Sequence, residues 1–174
     1  FTEDRPQRIN AVSYPDVPPG GKFLPPSIAV YPLTANGDAK PLRVLRGARL
    51  GLNYPMALDV DLDHDEIFVA NNGDNSVLVF PRTGEGDLAP VRVIRGALTG
   101  LDMPIGIAVD TKNDELWVTN SNSHTAVVFP RNASGNIAPK RVIRNAPAEA
   151  ALVGFTNPMA LGYDTKRNEI LVPN

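Results

Sequence analysis

An all-β fold, a β-propeller of four-stranded blades, is predicted from a 49-residue period, from four short apolar runs within each period, and from the glycines and prolines that separate them. Pro32, Pro81 and Pro130 stand 49 residues apart, as do Gly37, Gly86 and Gly135, Pro41, Pro90 and Pro139, and Arg43, Arg92 and Arg141. A period of roughly 40–50 residues made of short strands and tight turns has the dimensions of a propeller blade.

Each run has its own character. The first strand reads Met56-Ala57-Leu58-Asp59-Val60, answered by residues 105–109 and 159–163, and each copy is followed by an aspartate: Asp61, Asp110 and Asp164. The second is Glu-Ile-Phe-Val-Ala from Glu66, with counterparts from Glu115 and Glu169. The third closes on an aromatic and a proline, at Tyr31-Pro32, Phe80-Pro81 and Phe129-Pro130. The second and third runs are continuously apolar, as in a sheet covered on both faces by neighbouring sheets. The fourth, Pro41 to Arg46, Pro90 to Arg95 and Pro139 to Arg144, carries arginine at two positions of opposite parity. That suits an outermost strand, where charge discourages pairing with other molecules. The six arginines are expected to be structural, with packed stems and solvated heads. Asn36-Gly37, Glu85-Gly86 and Ser134-Gly135 lie between the third and fourth strands, where a tight turn needs positive φ.

Composition limits the function classes. The chain of 174 residues has a formal charge of −2 and no cysteine, so neither a global basic field nor thiolate metal chemistry is available. No stretch approaches the roughly 20 apolar residues of a membrane span, so no membrane insertion is expected. Residues 1–26 hold six prolines and none of the repeat's apolar runs, and are read as a proline-rich arm.

The unit Pro-x-Gly/Ala-Ile/Leu-x-Val-Asp, followed by Leu-Trp-Val-Thr-Asn at 116–120 and Thr-Ala-Val-Val-Phe at 125–129, resembles the NHL repeat. It is also similar to the YVTN repeat of bacterial and archaeal surface propellers. The likeness runs over residues 27–174. It implies a propeller and is nearly silent on activity, because such repeats serve lyases, lactonase-like enzymes, adaptors and surface proteins. Together with the start at Phe1, it also suggests a bacterial protein that is secreted, periplasmic or cell-surface.

Residues 27–46 supply strands three and four of a blade, 55–96 and 104–145 two full blades, and 158–174 strands one and two of another. The sum is three blade equivalents, below the roughly 4–8 of a ring. A six-bladed ring is expected, completed either by the remaining part of the same protein, the favoured reading, or by a second copy closing head to tail. In either case the exposed strand edge and apolar sheet face call for a partner chain.

The asparagine-rich corners between strands two and three are the candidate binding site: Asn71, Asn72 and Asp74 in one blade, Asn120, Asn122 and His124 in the next. The resemblance puts these corners on one face with the connections between blades, 48–54, 97–103 and the longer 146–157, and that face is the usual ligand site. Asparagine also stabilises left-handed turns, so a purely local role competes. Asp59, Asp61, Asp63 and Asp65 alternate like a calcium loop, but His64 occupies the glycine position and Ala70 the closing glutamate position. Asp61, Asp110 and Asp164 are instead expected to cap the hairpin between strands one and two through backbone amides. Only His64 and His124 are histidines, too few for a multi-histidine metal site. Trp117 is expected in the core. No metal, cofactor or catalytic residue is assigned. The expected function is a non-catalytic binding or scaffolding module; the alternative is a lactonase- or lyase-like enzyme with its catalytic residues mostly elsewhere. RNA binding is disfavoured, because the corner face carries Asp74 and Asp102 and no aromatic stacking platform.

Overall fold

The computed structural model describes residues 25–144 and 158–173. The arm, apart from Pro25 and Pro26, and the 146–157 connection lie outside the described residues. Twelve strands are present among these: β1 (Ser27–Val30), β2 (Arg43–Arg46), β3 (Pro55–Asp61), β4 (Glu66–Asn71), β5 (Ser76–Pro81), β6 (Arg92–Arg95), β7 (Pro104–Asp110), β8 (Glu115–Asn120), β9 (Thr125–Pro130), β10 (Arg141–Ile143), β11 (Gly162–Asp164) and β12 (Glu169–Leu171). They form two four-stranded antiparallel meanders, β3-β4-β5-β6 and β7-β8-β9-β10, and two two-stranded sheets, β1-β2 and β11-β12.

The 49-residue period is reproduced as register. Ile67 faces Phe80 and Phe68 faces Val79 in one blade; Leu116 faces Phe129 and Trp117 faces Val128 in the next. Both first strands shift register at the same place, between Pro55 and Ala57 and between Pro104 and Gly106.

Burial of the apolar faces holds the sheets together. Phe68, Ala70, Val77, Val79 and Ile94 of the first blade pack against Ile107, Val109, Leu116, Val118, Val127 and Phe129 of the second. The opposite face of the first blade, through Ile67, Val69, Leu78 and Phe80, packs on Ile28, Leu45 and Leu50. At about 25 cal/mol per Å² of apolar surface removed from water, such interlayers are the main stabilising contribution.

A backbone clip joins successive sheets. The Gly86 N–H donates to Val44 O (2.9 Å) and the Arg46 N–H to Gly86 O (3.0 Å). One period later the Gly135 N–H donates to Val93 O (2.7 Å) and the Arg95 N–H to Gly135 O (3.1 Å). These glycines, at φ 74° and 78°, adopt the left-handed backbone that the sequence anticipates.

The hairpin caps form as expected. Asp61 Oδ1 accepts from the backbone N–H of Asp63 and His64, both at 3.0 Å. Asp110 Oδ1 accepts from Asn113, and Asp164 Oδ1 from Lys166 and Arg167.

Two expectations are corrected. The heads of Arg92 and Arg141 are not merely solvated: each makes a two-pronged ion pair with the glutamate opening its blade's second strand, Glu66 and Glu115. Trp117 is only partly buried, whereas its counterpart Phe68 is fully buried under the second blade. The difference lies in the neighbour, since the sheet following Trp117 comprises only β11 and β12 among the described residues. At the opposite end Met56, Leu58 and Val60 of β3 are exposed, while Ile107 and Val109, the counterparts of Leu58 and Val60, are buried.

Candidate functional site

The corner between strands two and three is held from within. Asn71 Oδ1 accepts from the Asn53 N–H (2.7 Å), and its Nδ2 donates to Gly51 O (3.2 Å) and Ser76 Oγ (3.1 Å). Asn120 repeats this with the Asp102 N–H (3.0 Å), Gly100 O (2.9 Å) and Thr125 Oγ1 (3.0 Å). Both asparagines are fully buried, tying the corner to the connection that enters the blade. An amide fits because one side chain must accept and donate at once.

The other candidates lie nearer the surface. Asn72 crosses the blade boundary, its Nδ2 donating to Pro104 O (3.2 Å). Asp74 accepts from Asn53 Nδ2 (2.8 Å), and Asn122 Nδ2 donates to both carboxylate oxygens of Asp102 (3.1 and 2.9 Å). His124 has left-handed backbone at φ 52°, matching Asn75 at φ 48° one period earlier. Asn75 Oδ1 accepts from the Met103 N–H (2.7 Å), again across the boundary. Thus the corners share one face with the connections 48–54 and 97–103.

That face carries groups absent from the sequence-based candidates. Tyr54 and Met103 precede the first-strand prolines, have positive φ (53° and 52°), and are 67% and 45% exposed. Their carbonyls accept from the N–H groups of Asn72 and Ser121, so the corners hold them in place. Left-handed backbone at a bulky residue costs about 1–2 kcal/mol. Leu98 is exposed on the same connection as Met103. A pit of about 260 Å³, lined by Asp74, Asn75, Arg95, Gly96, Ala97 and Leu101, opens beside them. The only sequence signal for Tyr54 and Met103 is their 49-residue spacing.

The opposite face holds ion pairs. Glu66 receives Arg92 from its own blade and Arg131 Nη1 from the next (3.2 Å); Arg131 Nε donates to Asp114 Oδ1 (2.8 Å). Arg141 and Lys140 both bond Glu115. The Arg141 guanidinium first, then the Lys140 ammonium, hold the Glu115 carboxyl below the usual glutamate range against the opposing effect of burial. Asp164 is likewise lowered, through its bonds to the backbone and side chain of Arg167 and to the Lys166 amide. Among the described residues no group of three His, Cys, Asp or Glu side chains is arranged to hold a metal ion.

Four-stranded meanders packed face to face, stitched by equivalent bonds at a fixed period, define a β-propeller-type repeat protein. Residues 101–129 match the family model described as the NHL repeat. No curated protein matches the chain.

Proposed function

We propose that the chain is a non-catalytic, protein-binding module of an exported NHL-like propeller, and that it docks partners on the corner face. The observation that carries this reading is the pairing there of exposed apolar side chains, Tyr54, Leu98 and Met103, with Asp74, Asn122 and Arg95 at their margins. Apolar and aromatic anchors within a polar rim are the make-up of a protein interface. Asn72 and His124 stand in the same corners, with Asn71 and Asn120 as their buried supports. A non-catalytic role is supported by how the acids are used: Asp61, Asp110 and Asp164 cap hairpins, and Glu66 and Glu115 are neutralised by arginine. None is an unengaged acid or base beside a nucleophile. Export rests on the likeness to surface propellers, and fractionating source cells with an antibody to the chain tests it.

Selection of displayed peptides on the wild-type chain tests the binding face. Selected peptides are expected to bind at least about tenfold more weakly, or 1.4 kcal/mol, to Met103→Ser and Arg95→Glu. Equal binding to both variants removes the corner face from consideration. Turnover of a lactone panel by the protein as purified from source cells establishes the enzymatic alternative instead.

A further inference from the structure

Granted the corner face as the docking surface, we propose that it receives a polypeptide segment in which a lysine or arginine stands beside an apolar residue, with an acid farther toward the rim. The basic side chain meets Asp74 or Asp102, the apolar one Tyr54 or Met103, and the acid Arg95.

Asp74 and Asp102 are held differently from the acids of the opposite face. There Asp65 meets Arg82, Glu66 meets Arg92 and Arg131, and Glu115 meets Lys140 and Arg141. On the corner face each carboxylate is gripped by an amide instead: Asp74 by Asn53 Nδ2 (2.8 Å), Asp102 by Asn122 Nδ2 (3.1 and 2.9 Å). Neither forms a salt bridge among the described residues. Arg49, the basic residue of the 48–54 connection, is turned to Asp87 O (3.5 Å). An amide orients a carboxylate without cancelling its charge, so both remain open to the stronger bond that a cation makes.

Between the two blades the charge recurs although the residue that carries it does not. One period on from Asn53 stands Asp102, and one period on from Gly73 stands Asn122. The acid thus lies on the corner in one blade and on the connection in the next, and the amide changes places with it. A strap between corner and connection needs no more than two amides, each able to donate and accept. The strap alone therefore does not account for an acid in both blades.

Each strap has an exposed apolar neighbour. Tyr54 follows Asn53 and Met103 follows Asp102, and their carbonyls are fixed by the amides of Asn72 (3.2 Å) and Ser121 (3.1 Å). A tyrosine ring attracts a guanidinium or ammonium over its face, and a thioether packs on the aliphatic stem of lysine or arginine. Farther out the sign reverses. Arg46 and Arg95 end the outer strands β2 and β6, are exposed, and form no salt bridge among the described residues. The pit of about 260 Å³ borders both Asp74 and Arg95, so a segment laid across it meets an acid and then a base.

Selection of a random displayed-peptide library on the intact protein tests this. Selected peptides are expected to carry lysine or arginine next to an apolar residue, and to bind the double variant Asp74→Asn with Asp102→Asn at least about tenfold more weakly. Asparagine keeps an oxygen for the Asn53 and Asn122 amides, so the variant removes charge and leaves the straps, as an unchanged Tm would show. Tyr54→Asn, which keeps a residue suited to left-handed backbone, should weaken the same peptides. Added salt should weaken wild-type binding more than that of the double variant. Peptides that lose affinity to Met103→Ser but lack a basic residue, or bind the double variant as well as wild type, overturn the proposal and leave the docking surface standing. An empty selection, or peptides indifferent to Met103→Ser and Arg95→Glu, removes the docking surface and the proposal with it. Retention of single-stranded RNA, strengthened in the double variant, overturns the proposal in favour of nucleic acid.

Discussion

Arg131 Nη1 stands 3.2 Å from Glu66 Oε2 and 3.4 Å from Asp61 Oδ2, so an arginine of the second blade neutralises two acids of the first. It lies beyond the end of β9, 65 residues from Glu66, and is nearly buried. Asp61 and Glu66 thereby keep their charges out of water with a cation shared between them. Arg131→Ala should lower stability by about 2 kcal/mol, since Arg92 still holds Glu66. Equilibrium urea unfolding, with an unchanged slope, is the measurement.

The interlayer between blades predicts a larger effect. Phe129 is fully buried, packed among side chains of both blades. Phe129→Ala should cost about 4 kcal/mol, combining lost transfer energy and a cavity. A cost below about 1 kcal/mol by the same unfolding assay would contradict the packing described.

Gly96 presents a different constraint. Its φ is 132°, and a Cβ there would collide with the Asn136 side chain, whose Oδ1 accepts from the Leu98 N–H (2.8 Å). Gly96→Ala should therefore destabilise by about 2 kcal/mol through strain and the displaced cap. Adding Asn136→Ala should recover the steric part but not the backbone part, visible as non-additivity in a double-mutant cycle.

Acid sensitivity follows from Glu115. Its folded carboxyl is held below the unfolded value, so the folded state binds its proton less readily than the unfolded chain. The stabilisation is complete above the ordinary value of about 4.3 and disappears as pH falls through the folded value. Glu115→Gln should be less stable than wild type at neutral pH and should flatten the acid limb of Tm against pH. Parallel limbs for the two proteins would show that the Arg141 pair contributes nothing.

The strands, their register and the hairpin caps were legible because they follow from one period and from local chemistry. Ile67 opposite Phe80 is a consequence of spacing, and Asp61 bonds amides two and three residues on. The ion pairs were not legible. Glu66 and Arg92 sit on strands separated by β5, so their meeting depends on sheet twist and arginine's reach. At the candidate site the corners could be named, but not the division of labour within them. Asn71 and Asn72 are adjacent and alike in sequence, yet one bonds its own blade's entry and the other the next blade. Tyr54 and Met103 escaped notice because left-handed backbone at a bulky residue has no compositional signature.

The glycine clip recognises only main chain: Gly86 reads the carbonyl of Val44 and the amide of Arg46, and Gly135 reads those of Val93 and Arg95. A joint blind to side-chain identity is interchangeable. Deleting one whole period, 55–103, would bring Gly135 to the outer strand Gly86 now occupies, with the same bonds on offer. Gene duplication or loss in steps of 49 residues can therefore lengthen or shorten such an array while leaving the main-chain bonds of each seam unchanged.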